Sequence, residues 1–314
     1  MVTGAGGFIG QEACATLLRA GHVVHAVTRR SFPLPGGEPP PGFMTTVVED
    51  LATSPDLEGI LSGADAVLHL AARVHRTSDE PTTAGREYER DVRMTEALAI
   101  AASRVGVRRL IYLSSIKALG DRSLIGPLTR SSAPKPVDPY GRSKLEAERR
   151  LAALSAAAGL QVVVIRPPLV YGARASANFR ELVRWVRRGV PLPLGAVENR
   201  RSVLSVDNLA EFVVRCLGPV DGLFSVFHVS DPEPVSTSQL IRYIAAGLGV
   251  RARLFSVSPR LLESLCALVG RSDIAARLLV SLELETRDSF AALAWQPRTG
   301  TREAVLRAVR GMQW

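Results

Sequence analysis

Thr3-Gly4-Ala5-Gly6-Gly7-Phe8-Ile9-Gly10 is the stretch that decides how this chain folds. Gly4, Gly7 and Gly10 form a G-x-x-G-x-x-G run that leads into a helical pattern over Gln11 to Ala20, with Gly21 placed to end it. Glycines at this spacing let the backbone turn sharply, approach a pyrophosphate closely and aim a helix N-terminus at its charge. A lone glycine loop is a weak signal. Here Val23-Val24-His25-Ala26-Val27 supplies the next strand at the right distance, so strand, loop, helix and strand follow in order. Only Met1 and Val2 precede the loop, where a central strand normally has about five residues. The first strand is therefore expected to be short, or the natural start to lie upstream.

Working outward, strands and helices alternate. Thr45 to Val48, Ala66-Val67-Leu68-His69-Leu70, Leu110-Ile111-Tyr112-Leu113 and Val162-Val163-Val164-Ile165 read as strands, and a long helix is centred on Arg86 to Arg104. Near-continuous apolar strands alternating with helices mean a parallel sheet covered on both faces, and right-handed crossovers make it a doubly wound α/β fold of the Rossmann type. After Arg166-Pro167-Pro168 the texture changes. Helices are expected over Phe179 to Arg188 and Pro259 to Val269, Pro191 and Pro193 break the chain, and Pro33 to Pro41 is a surface loop. Residues 1–170 therefore read as a dinucleotide-binding domain, with 206–231 returning to it, and 171–314 mainly as a smaller substrate-binding lobe with a cleft between.

The second informative stretch is Asp138-Pro139-Tyr140-Gly141-Arg142-Ser143-Lys144. Asp138 suits an N-cap, Pro139 the first helical position, and Leu145, Leu151 and Leu154 an apolar face, with Gly159 ending the helix. Tyr140 and Lys144, one turn apart, share a face. A nearby ammonium favours the phenolate, so the Tyr140 pKa is expected to fall, making the phenol a general base near neutral pH. Tyr-x-x-x-Lys arises often by chance. It gains weight because Lys117, Lys135 and Lys144 are the only lysines, against 36 arginines: Lys144 fits chemistry that arginine cannot do.

Bulk properties exclude several classes. With 314 residues, 46% apolar and 22% charged, the chain is an ordinary globular one with room for a large core. No apolar run of membrane-spanning length and no secretory leader is visible, and the three isolated cysteines fit a reducing cytoplasm. The net charge of +9 comes from scattered arginines without aromatic or zinc-finger patterning, so nucleic acid is not expected, though anionic nucleotides are attracted. The five histidines show no metal-ligand spacing.

At the end of the second strand, where a carboxylate usually receives the ribose hydroxyls of NAD, the chain reads Thr28-Arg29-Arg30. This leans toward the 2′-phosphate of NADP. Asp50-Leu51, after the third strand, is placed for the adenine edge.

Taken in order, Gly4/Gly7/Gly10, Asp50-Leu51, His69-Leu70-Ala71-Ala72, Ser114-Ser115, Tyr140-x-x-x-Lys144 and Arg166-Pro167-Pro168-Leu169-Val170-Tyr171-Gly172 resemble the extended short-chain dehydrogenase/reductases. More narrowly, the chain is similar to the NAD-dependent epimerase/dehydratase family, on the branch of UDP-hexose 4-epimerases and 4-keto-sugar reductases of surface-polysaccharide synthesis. The resemblance implies that Ser115, Tyr140 and Lys144 are catalytic. It implies that the cofactor, NAD or NADP, contacts Gly4, Gly7, Phe8, Ile9, Gly10, Thr28, Arg29, Asp50, Leu51, Leu70, Ala71, Ala72, Ser114, Tyr140, Lys144, Pro167 and Val170. Ser115, Asn178 and Arg201 would contact a UDP-sugar, Arg201 gripping the diphosphate. A homodimer through the Tyr140 helix is implied as well. The activity implied is C4 epimerisation through a 4-keto sugar, with an NADPH-dependent 4-keto-6-deoxy-sugar reductase as the alternative and a non-catalytic dinucleotide sensor as a second one. Asp91 stands where the family often has asparagine. Lys117 reads as a solvated loop lysine, Asp207 as the cap of the helix after it, and Arg73 and His75 as pocket-bordering or surface residues.

Overall fold

The structure, a computed structural model, describes residues 1–30, 40–72, 81–175, 178–268, 270 and 272–313. The glycine loop joins β1 (Val2–Thr3) to α1 (Phe8–Arg19). Then come β2 (Val24–Thr28), β3 (Phe43–Val47), α2 (Leu57–Leu61), β4 (Ala66–His69), α3 (Pro81–Arg104), β5 (Arg109–Leu113), a 3-10 turn over Ile116–Ala118 and α4 (Pro139–Ala158). They are followed by β6 (Gln161–Arg166), β7 (Leu169–Tyr171), α5 (Asn178–Arg187), β8 (Val203–Ser205), α6 (Val206–Arg215) and β9 (Phe224–His228). The chain ends in helices α7 (Thr237–Leu248), α8 (Pro259–Leu268), α9 (Ser272–Leu279), α10 (Arg287–Ala292) and α11 (Thr301–Arg310).

Seven strands form one parallel sheet in the order β3-β2-β1-β4-β5-β6-β9. Strand order reverses at β1, between β2 and β4, and that switch point is where an open α/β sheet binds its ligand. β1 is only two residues long, but its register is fixed on both sides: Val2 lies opposite Ala26 and Leu68, Thr3 opposite Val27 and His69. The Met1 ammonium donates to Ala66 O at 2.8 Å.

The two-residue period of the strands explains their unbroken apolar runs. Val163 and Ile165 face the core shared with α1 and α6. Val162 and Val164 face the opposite core, shared with Leu98 and Ala102 of α3 and Ala147 and Leu151 of α4. A third core sits in the lobe, where Phe179 and Val183 of α5, Ile241 and Ile244 of α7 and Val305 and Val309 of α11 surround Tyr171. The small parallel pair β7-β8 is a separate sheet that sends Leu204 into the first core and Val203 into the third.

A buried carboxylate fastens the lobe to the sheet. Asp231, just past β9, accepts hydrogen bonds from the Tyr171 hydroxyl (2.5 Å), the Ser205 backbone N–H (3.0 Å) and the Asn208 side chain (2.7 Å). Burial raises its pKa, and these donors oppose the rise. Ser205, not Asp207, caps α6, its side chain accepting from Asn208 N at 3.2 Å. Asp207 occupies the first turn instead, where the helix dipole still favours its charge.

Candidate active site

The glycine loop is shaped for a close ligand. Gly4 has φ +69°, and a β-carbon there would lie 2.7 Å from Ala71 N and 2.9 Å from Leu70 C, so the loop and the end of β4 touch backbone to backbone. A β-carbon on Gly10 would overlap Gly4 O and lie 2.7 Å from Ala5 Cα. Gly7 is the N-cap of α1, no side chain caps it, and no acid stands in the first turn. The helix therefore presents backbone N–H groups to anything bound there. This cradle fits a dinucleotide pyrophosphate.

Around it, Phe8, Ile9, Leu70, Ala71 and Ala72 are half-buried. At the end of β2, Thr28 is buried and its hydroxyl donates to Arg30 O at 2.8 Å, while Arg29 and Arg30 are exposed. Asp50 pairs with Arg90 of α3 and also accepts from Ala52 N at 3.0 Å. Leu51 packs into a small cluster with Val27 and Met94. Arg73, His75 and Ala177 lie outside the described residues, as does most of the Pro33 to Pro41 loop.

Tyr140, Lys144 and Ser115 come together where β5 meets α4. Asp138 caps α4, its Oδ1 accepting from Gly141 N at 2.7 Å, and Gly159 closes the helix at φ +69°. The carboxylate's other oxygen accepts from Lys117 Nζ at 2.6 Å. Lys117 is thus not a solvated loop lysine. The cap uses one carboxylate oxygen and Lys117 the other, and the turn after Ser115 lies so close to α4 that Lys117 O blocks any β-carbon at Gly141. Ser115 is itself the N-cap of the 3-10 turn. One ion pair therefore ties the serine's turn to the tyrosine's helix.

The Tyr140 pKa does not fall as its spacing to Lys144 predicts. Burial pushes the phenol up to about 12; a hydrogen bond from Ser115 pulls it down, and Asp138, Tyr88 and Asp91 push it further up. Desolvation is the largest cause, and none of the lowering comes from Lys144. Its Nζ donates to Leu113 O at 3.1 Å and sits over the Tyr112 ring, 4.8 Å from its centroid, but 5.8 Å from that of Tyr140. Burial also lowers Lys144 itself to about 8, against the attraction of Asp91 and Glu148. Tyr88 packs edge-on against Tyr140 at 6.0 Å between centroids.

Beneath this pair runs a network that motif reading missed. The Ser114 hydroxyl donates to Glu148 Oε1, and Arg166 grips the same carboxylate with Nε (3.0 Å) and Nη2 (2.5 Å). Ser114, Glu148 and Arg166 are all buried. Tyr140, Lys144 and Glu148 are spaced four and four along α4, so the row was visible as an acid on a buried helical face. The Ser114 side chain is turned to this network, and its backbone N–H donates to Ile165 O at 2.8 Å. Pro167 O accepts from Ile116 N at 3.0 Å, so Pro167 packs on the Ser115 turn, and Val170 is half-buried beyond it.

His69 forms a second chain. Thr95 spends its proton on Asp91 O at 2.8 Å, so it accepts from His69 Nε2 at 3.1 Å; Nδ1 then accepts from Thr3 at 2.7 Å. The ring is neutral, its pKa pushed down to about 3 by burial and by Lys144. The chain joins β1, β4 and α3 under the switch point.

The two remaining positions lie in the lobe. Asn178 is exposed at the start of α5. Arg201 bridges Val235 through backbone hydrogen bonds of 2.9 Å each way, and its Nη1 donates to Val280 O at 2.7 Å. Burial lowers its pKa, and Asp121, from the loop after the Ser115 turn, opposes that.

A doubly wound dinucleotide fold with serine, tyrosine and lysine gathered where β5 meets α4 defines a short-chain dehydrogenase/reductase-type enzyme. Residues 1–225 match the family model described as the NAD dependent epimerase/dehydratase family, and the chain belongs to it. A Vibrio cholerae UDP-glucose 4-epimerase is 35% identical over 303 residues, covering 95% of this chain and 90% of that protein. The solved structure of MoeE5 in complex with UDP-glucose and NAD is 28% identical, with a TM-score of 0.79 over 99% of this chain and 97% of that one. A Bacillus cereus UDP-glucuronic acid 4-epimerase in complex with NAD shares the fold at 21% identity and a TM-score of 0.78, covering 98% of this chain and 95% of its own.

Proposed function

We propose that this protein is a nicotinamide-dependent nucleotide-sugar 4-epimerase, acting on a UDP-hexose or UDP-N-acetylhexosamine through a 4-keto intermediate. The observation that carries the reading is the meeting of Ser115, Tyr140 and Lys144 in a fold whose glycine loop leads into a helix N-terminus with no side-chain cap. When bound, the oxidised nicotinamide brings a hydride acceptor and a positive charge to the cleft, and the charge favours the Tyr140 phenolate. Tyr140 takes the proton of the C4 hydroxyl and later returns it to the carbonyl oxygen. Ser115 holds that oxygen in line. Lys144, an ammonium at neutral pH, binds the cofactor's ribose hydroxyls. Gly4, Gly7, Phe8, Ile9 and Gly10 cradle the pyrophosphate, and Asp50 and Leu51 border the adenine. Leu70, Ala71, Ala72, Pro167, Val170 and the Ser114 backbone line the nicotinamide half. Asn178 and the forked donor of Arg201 hold the UDP diphosphate, so residues 171–314, apart from 206–231, mainly form the sugar-binding lobe on the 1–170 domain.

The second reading is an NADPH-dependent reductase of a UDP-4-keto-6-deoxy-hexosamine in surface-polysaccharide synthesis. Arg29 and Arg30 favour it: they are exposed at the end of β2, where no acid stands. In that reading Tyr140 gives its proton to the carbonyl oxygen once. In either case the proposal is a cytoplasmic homodimer. Among the described residues no helix is long and apolar enough to cross a membrane. The experiment is incubation with UDP-galactose or UDP-N-acetylgalactosamine without added cofactor. Turnover is the expected result; strict dependence on NADPH and a 4-keto-6-deoxy sugar would replace the first reading with the second.

A further inference from the structure

Lys117 meets the reacting pair with three different groups. Its backbone N–H donates to Ser115 Oγ at 3.2 Å, its carbonyl oxygen lies against Gly141 in the first turn of α4, and its Nζ donates to Asp138 Oδ2 at 2.6 Å. Ser115 in turn gives a hydrogen bond to Tyr140. With the Lys117 N–H on one of its lone pairs, the serine hydroxyl is oriented so that its proton serves the phenol oxygen. Backbone and side chain of one residue thus set the serine and fasten its turn to the tyrosine's helix.

Folding stability does not account for the ion pair. The Lys117 side chain is 38% exposed and that of Asp138 25%, and pairs this close to water add little. Its effect is local. Asp138 stands two residues before Tyr140, and its Oδ1 is held by Gly141 N at 2.7 Å, so a negative charge is fixed at the start of α4. The groups that bear on Tyr140 come from every element around it: Ser115 from the 3-10 turn, Tyr88 and Asp91 from α3, Tyr112 from β5, and Asp138 and Lys144 from α4. Two of them are carboxylates, and both make the phenolate harder to form. Lys117 is the cation paired with one of the two, and an ammonium in contact with Asp138 cancels much of the charge that Tyr140 would otherwise meet.

We propose that Lys117 is a positioning residue for the Ser115 and Tyr140 pair: it orients the serine hydroxyl, joins its turn to α4 and balances the Asp138 charge beside the phenol. The inference rests on the acid/base role proposed above for Tyr140. The test is kcat/KM against pH, with UDP-galactose or UDP-N-acetylgalactosamine, for the wild type, Lys117→Met, Lys117→Arg, Asp138→Asn and the double variant Lys117→Met with Asp138→Asn, together with a melting curve for each. Asparagine caps a helix as well as aspartate does, so Asp138→Asn removes the charge and keeps the helix start. In Lys117→Met the phenol holds its proton to higher pH. The acid limb of the profile should move up by about half a pH unit, which lowers kcat/KM on that limb about threefold, with the melting temperature close to wild type. Lys117→Arg, which keeps the cation, should keep the limb where it is. Adding Asp138→Asn to Lys117→Met should return the limb to the wild-type position or below it, because the charge that Lys117 balances is gone. A limb that does not move in Lys117→Met overturns the proposal. So does a loss of rate that is equal at every pH and not reversed by Asp138→Asn, the mark of a merely structural residue. Failure of the underlying reading looks different: Tyr140→Phe as active as the wild type, or a wild type without turnover, removes the acid/base role and the proposal with it.

Discussion

Helices α4 and α8 are both amphipathic, and they use their apolar faces in opposite ways. Helix α4 buries Gly141, Lys144, Leu145, Ala147, Glu148, Leu151 and Ser155 against the sheet; α8 buries nothing. On α4, polar groups go inside only with partners: Glu148 with Arg166 and Ser114, Lys144 with Leu113 O. Burial is also what lowers the proton affinity of Lys144. The sheet side of the molecule thus holds a desolvated set of polar groups, whereas α8 leaves Leu261, Leu265 and Leu268 exposed.

That contrast can be broken in several ways. The largest effect is expected from Tyr140→Phe, which keeps the ring packing on Tyr88 and removes the proposed acid/base: kcat should fall roughly 10²–10⁴-fold while the melting temperature stays close to wild type. Next comes Glu148→Ala. It leaves Arg166 buried without its carboxylate, so urea denaturation should show a loss of about 3–5 kcal/mol. Leu151→Ala on the same helix should cost about 2–5 kcal/mol by opening a cavity.

A smaller effect is expected from pH. The Lys144 pKa is lowered by burial from its ordinary 10.5 to about 8. Between those values the folded chain binds fewer protons at this site than the unfolded chain, so this group's contribution to stability rises with pH and is complete above 10.5. From pH 7.5 to 9.5 the wild type should gain about 2 kcal/mol relative to Lys144→Met, measured by denaturation of both proteins at each pH. The smallest effect belongs to α8. Leu265→Ala should change stability by less than about 0.5 kcal/mol, because the leucine is already half in water. A loss like that of Leu151→Ala would mean that α8 is part of the core after all.

The parts of the fold that depend on local spacing could be read directly from the chain. Gly4, Gly7 and Gly10, the cap at Asp138, the stop at Gly159 and the row from Tyr140 to Lys144 each involve residues within a turn or two, and backbone geometry makes them mean one thing. What needed the structure were contacts between distant segments. Arg201 reaches Val280, Lys117 reaches Asp138, and Tyr140 is surrounded by Tyr88, Asp91 and Asp138. The direction of the Tyr140 shift failed for this reason: spacing on one helix brings an ammonium near, but desolvation by other elements outweighs it. Glu148 was missed although its spacing was in view, because a glutamate four residues beyond a lysine reads as a solvated pair until its far side is seen to face Arg166.

The central claim is that the Ser115, Tyr140 and Lys144 cluster inverts C4 of a UDP-sugar. The most direct measurement is proton NMR of UDP-galactose and UDP-N-acetylgalactosamine incubated with the purified protein and no added cofactor, in parallel with Tyr140→Phe. The account predicts that the 4-epimer accumulates with the wild type and is slowed at least about a hundredfold in the variant. Epimer formed at the same rate by both proteins, or by neither under any nicotinamide cofactor, would contradict it.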